Sequence, residues 1–169
     1  MRLTIEDGPF RAKGGKDGPS AGYTLLGMMG AVGVAAILTA MATIHFVRFR
    51  AEAKVHAAEM RLKILAAAIE QLAWDTGEWP GGVDRSIQGN RETWNLSRSA
   101  AGLLSTDGRF DHWQGPYIDE IPADPWGNAY FFDPDYRIDG RMRAVVGSSG
   151  PNGEGRNVYD NDNVYVVVK

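Results

Sequence analysis

Residues 147–163 read GSSGPNGEGRNVYDNDN, a stretch dominated by glycine, asparagine, serine and acids. Carboxylates, amides and main-chain carbonyls turned inward by glycines are the ligand chemistry of a hard cation such as calcium. That ion takes about six to eight oxygens at ~2.3–2.6 Å. By composition alone, such a cluster between strands is also what a solvated turn looks like. Asp160-Asn161-Asp162-Asn163 opens like an EF-hand loop, but the sixth position is Tyr165 rather than glycine and the twelfth lies past Lys169. That motif is therefore set aside.

Other chemistry finds little support. Catalysis needs a nucleophile, a base and stabilising donors gathered in a pocket, and the histidines are His45 beside an apolar run, His56 on a helix surface and His112 beside Asp111 in a loop. No glycine-rich segment carries the Gly-Lys-Ser/Thr of a phosphate loop. Cysteine is absent, which excludes disulfides and thiolate metal sites. We expect no enzyme.

The elements that must hold the loop begin with residues 22–47, an uncharged run of about 25 apolar residues following a short basic leader. At ~1.5 Å per residue this length of helix crosses a hydrocarbon core of ~30 Å. Basic residues lie on both sides of the run, so charge bias votes weakly. The aromatic and Gly/Pro-rich remainder reads as an exported domain, placing Met1 in the cytoplasm and Lys169 outside. A secretory signal cut after Ala42 is the rival; the run's continuation through Thr43, Ile44, Phe46 and Val47 without a polar break argues against it. The leader carries four basic and three acidic residues, or +1, leaving −4 of the total −3 for the rest. No global charge draws the chain to nucleic acid.

Beyond the run, Val55, Ala58, Leu62, Leu65, Ile69 and Leu72 recur at spacings of three and four, one buried helical stripe. No proline falls between Tyr23 and Asp75, so the spacing predicts one helix of about 50 residues, ~75 Å at the standard rise. Gly27, Gly30 and Gly33 are its weakest points, and Asp75, Gly77 and Pro80 end it. A short helix is expected near residues 97–104, turns through 113–128, and strands at 129–132, 141–146 and 164–168. The fold class is α+β: a long N-terminal helix packed on a small C-terminal antiparallel sheet.

Gly22-Tyr23-Thr24-Leu25-Leu26, the W-x-G-P-Y at Trp113 to Tyr117, the pattern from Ile121-Pro122-Ala123-Asp124-Pro125-Trp126-Gly127 to Tyr130, and the acid-ended loop occur in that order. In these features the chain resembles type IV pilin-like proteins, and most of all the major pseudopilins of type II secretion. The resemblance implies a leader of residues 1–22 cut by prepilin peptidase between Gly22 and Tyr23, with methylation of the Tyr23 amine. It implies a membrane and filament-core helix over 23–47, an amphipathic exported half over 48–80 and a periplasmic domain over 81–169. It further implies a structural calcium, with Asp160 and Asp162 as side-chain ligands and Ser149 and Val158 as main-chain ligands, Ser149 standing where the family has an upstream aspartate.

The implied partners are further copies of the chain, other pseudopilins, the prepilin peptidase, an inner-membrane assembly platform and the membrane, with no nucleic acid. Two departures bear on role: Gly27 stands where the family usually has a glutamate that meets a neighbour's N-terminal ammonium, and the usual proline late in the membrane segment is missing. Family members lacking that acid tend to sit at filament tips. A minor type IV pilus subunit for adhesion, motility or DNA uptake is the alternative, with Arg98, Arg109, Arg137, Arg141 and Arg143 as phosphate contacts.

Overall fold

The computed structural model describes residues 24–86, 91–155 and 160–169. The Gly22–Tyr23 junction and Val158 fall outside the described residues. One helix, α1 (Leu25–Thr76), is followed by strands β1 (Glu78–Trp79), β2 (Val83–Asp84), β3 (Phe131–Ile138), β4 (Arg141–Ser148) and β5 (Val164–Val167). By contacts the chain divides into two units, residues 1–44 and 45–169.

In the first unit α1 opens at Thr24, whose Oγ1 accepts the Gly27 N–H at 3.3 Å and so satisfies one orphan donor of the helix start. The side chains of residues 24–43 are all exposed, including Leu25, Leu26, Met29, Val32 and Leu38. The polar side chains here turn inward along the helix: Thr39 and Thr43 donate to Ala35 O and Thr39 O, each at 2.8 Å. Such back-bonding removes the cost of placing a hydroxyl in hydrocarbon.

The second unit is built on the stripe expected from sequence. Ala58, Leu62, Leu65, Ile69 and Leu72 are wholly buried and Val55 is half-buried. Leu62, Leu65, Ile69 and Leu72 pack with Phe132 and Val146 of the sheet and with Trp79, Leu96, Leu103 and Phe110. Gly77, at φ +77, takes a left-handed cap with its N–H on Ala73 O at 3.1 Å, as the Gly77 and Pro80 signals required.

Strands β3, β4 and β5 form one antiparallel sheet in that order. Alternation along β3 sends Phe132 to the helix side and Phe131 to the far side, where it joins Tyr136, Val145 and Trp94. Phe131 pairs with Gly147, and its ring occupies the space a Gly147 side chain would fill.

Two expectations need correction. Strand β3 runs on to Ile138, past the predicted end at Phe132, because a bulge absorbs Pro134: three steps from Asp133 to Tyr136 oppose two from Val145 to Arg143. The helix expected near residues 97–104 is a single 3-10 turn, Ser99–Ala101, closed by Gly102 at φ +80. A Cβ on Gly102 would lie 2.6 Å from the Phe110 ring, so close packing ends the turn there. The small β1–β2 hairpin was not anticipated; Gly81 and Gly82, at φ +86 and +72, turn it.

Candidate functional site

The loop joining β4 to β5 is anchored from beneath by the Asp-Pro-Trp-Gly-Asn turn. Asp124, buried, accepts the Trp126 and Asn128 N–H groups on Oδ1 at 3.0 and 2.7 Å, while its Oδ2 accepts the hydroxyl of Ser148 at the end of β4. A buried carboxylate without such donors would be costly; here both oxygens are engaged. Asn128 then donates Nδ2 to Gly150 O at 3.0 Å, tying turn to loop. The motif is thus a staple that fixes where the loop begins.

Gly150, at φ +62, brings the loop's limbs together: a Cβ there would fall 2.1 Å from Asp162 O. Asn152 closes the gap. Its Nδ2 donates to Asp160 Oδ2 at 2.7 Å and Asp162 Oδ1 at 3.0 Å, and its backbone N–H to Asp162 Oδ2 at 3.2 Å. Asn152 Oδ1 accepts the Glu154 N–H at 2.7 Å, which fixes the orientation of the amide. The Asn152 hydrogen bond, then Asp162, holds the Asp160 carboxyl below the ordinary range. Asp160 Oδ1 is enclosed and meets no donor among the described residues.

The loop brings Asp160 and Asp162 together around Asn152. The upstream side chain that meets them is Asn152, whereas the Ser149 side chain is buried against Gly155 beside Trp94. Two carboxylates, one with an oxygen lacking a donor, offer a hard cation its ligands here, while the Asn152 amide faces them with its N–H groups and supplies no oxygen.

A second carboxyl cluster escaped the sequence. The bridge between Thr93 and Phe132 sets Glu92 beside Asp133, and the bulge adds Asp135, so that one oxygen from each lies within 4.8 Å of the others. Asp133 is only 2% exposed and accepts the Asp135 N–H at 2.9 Å. Burial, reinforced by the like charges of Asp135 and Glu92, pushes its carboxyl up to about 7.

W-x-G-P-Y is a packing clamp: Trp113 Nε1 donates to Gly102 O at 2.7 Å and its ring meets Tyr117 edge-on at 6.0 Å. His45, His56 and His112 are exposed and far apart in sequence, and His56 sits 3.4 Å from Glu59. Arg98, Arg137, Arg141 and Arg143 are exposed, while Arg109 is chelated by Asp107.

A helix long and apolar enough to cross a membrane, followed by a small antiparallel sheet with a stapled acidic loop, defines a pilin-like chain. The family model described as type II secretion system (T2SS), protein G, matches residues 46–164. With well over half of its length matched, this chain belongs to that family. Among solved structures it is similar to the major pseudopilin from the type 2 secretion system of enterohaemorrhagic Escherichia coli, at 17% identity and a TM-score of 0.48, over 69% of this chain and 84% of that one. No curated protein matches.

Proposed function

We propose that the chain is a structural subunit of a type II secretion pseudopilus, without catalytic activity of its own. The leader is removed between Gly22 and Tyr23, the Tyr23 amine is methylated, and the mature helix packs against helices of identical or related subunits on an inner-membrane assembly platform. The domain lies in the periplasm, and filament growth drives protein export. The observation that carries this reading is the apolar surface of residues 25–43, exposed throughout although a water-soluble chain would bury it. In lipid it costs nothing, and in a filament Gly27, Gly30 and Gly33 allow helices to approach closely.

Calcium is proposed at the β4–β5 loop, held by Asp160 and Asp162 with Asn152 beside them and main-chain oxygens of Ser149 and Val158. When bound it supplies charge neutralisation and closes the loop; no reaction passes through it. N-terminal sequencing and mass spectrometry of a filament preparation test the assignment: a mature start at methylated Tyr23 supports it, and a chain starting near Thr43 or left uncut refutes it. A second reading, a minor or tip subunit, is favoured by Gly27 in place of an acid, since a subunit without that carboxylate makes no registration contact in lipid. Stoichiometry from the same preparation separates the two.

A further inference from the structure

Of the chain's asparagines, Asn152 alone is followed by glycine. An asparagine loses its amide when the backbone nitrogen of the next residue attacks its Cγ, and glycine, with no side chain to crowd that nitrogen, hinders the attack least. Gly153 sits at φ +71, a backbone conformation that favours glycine. Both residues are exposed, so water reaches them.

The loop surrounds this pair with the groups such a reaction uses. The hydrogen bond from the Glu154 N–H to Asn152 Oδ1, at 2.7 Å, closes the side chain into a ring that contains the Gly153 nitrogen. That N–H also stands where negative charge gathers on Oδ1 as Cγ becomes tetrahedral, the position of an oxyanion donor. On the other side of the amide, Nδ2 donates to Asp160 Oδ2 at 2.7 Å and to Asp162 Oδ1 at 3.0 Å. Two carboxylates there favour the positive charge that the nitrogen acquires as it departs. In the reaction the bond from the Gly153 nitrogen to Asn152 Cγ forms, and the proton of the Gly153 N–H passes through water to Nδ2. The Cγ–Nδ2 bond then breaks, releasing ammonia and leaving a succinimide. Water opens either carbonyl of that ring, giving aspartate or isoaspartate at position 152.

We propose that the folded loop deamidates itself at Asn152 and so gains a third carboxylate beside Asp160 and Asp162; the gain, though not the modification, rests on the calcium reading above. Before the change the amide turns its N–H groups to both acids and gives a cation no oxygen. Afterwards an acid stands in its place, and added ligand charge raises calcium affinity. The full chain, extracted in detergent and kept at neutral pH in heavy-oxygen water, tests the modification by peptide mass spectrometry. Label should enter at position 152 many-fold faster than at Asn128 or Asn161, and several-fold faster in the folded chain than in urea. Asn152→Gln, which must close a larger ring, should take up no more label than those controls. Uptake at Asn152 no faster than at the other asparagines, or equal in folded and unfolded chains, would overturn the proposal. Calorimetric titration with calcium chloride tests the gain: Asn152→Asp should bind several-fold more tightly than the freshly prepared chain. Equal affinity overturns the gain alone, and binding by neither form defeats the calcium reading and the gain with it, leaving the modification standing.

Discussion

The two carboxyl clusters of the domain are built from the same residue types and are driven in opposite directions. In the β4–β5 loop, amide and backbone N–H groups of Asn152 point at Asp160 and Asp162, and the Asp160 carboxyl is held low. Beside the β3 bulge, Asp133 is buried with Asp135 and Glu92 as neighbours, and its carboxyl is pushed up to about 7. Proximity of acids therefore decides neither their charge nor their role. The donors aimed at them, and the water taken away, do.

The widest separation between the clusters should come from pH. Asp133 has a folded-state pKa above its unfolded value near 3.8, so the native state holds the proton longer. Its favourable contribution is complete below about 3.8 and is lost as pH rises through about 7. Asp133→Asn should abolish this slope, which amounts to on the order of 4 kcal/mol between the two limits, read from urea unfolding of the detergent-solubilised chain at several pH values. Asp160 carries the opposite sign, present above its unfolded pKa and fading as pH falls. A shared slope for Asp133→Asn and Asp160→Asn would erase the contrast.

Next in size is Gly150→Ala, whose methyl would collide with Asp162 O from a left-handed backbone. It should cost about 3 kcal/mol and loosen the loop while leaving the Asp133 titration untouched. Calcium should then act on one cluster only, raising stability by about 2.7 kcal/mol at a hundredfold excess over its Kd. Asp162→Asn should remove that gain and Asp135→Asn should keep it, which thermal melts with and without chelator measure. The smallest effect is expected from Asn152→Ala, which should return the Asp160 carboxyl toward its ordinary range, as carboxyl-carbon NMR titration would record.

Much of the fold was legible because its signals are local. A long proline-free apolar run, a stripe of three-four spacing and a glycine cap specified α1 to within a residue of its end. Phe131, Val145 and Val164 marked the strands. Pro134 hid the rest of β3, since a strand interior normally rejects proline and only the bulge admits it. At the site, Asp160 and Asp162 were singled out by the resemblance, since the loop's composition alone describes a solvated turn equally well. Asn152 was missed although Asn152-Gly153 is a turn signal, because its partnership with the acids depends on how far the loop folds back. Glu92 carries no pattern; a tertiary bridge from Thr93 brings it to Asp133.

The bulge also governs how β3 behaves as the rim of its sheet. The Phe132 N–H is taken by Thr93 O at 2.9 Å, Pro134 has none, and the Asp135 N–H is folded back onto Asp133. Few donors are left along this margin to template a foreign strand. On the proposed reading, apolar helices crowd together in the filament while the sheets must not. The bulge at Pro134 thus guards β3, one of the sheet's two outer strands, against strand-on-strand pairing.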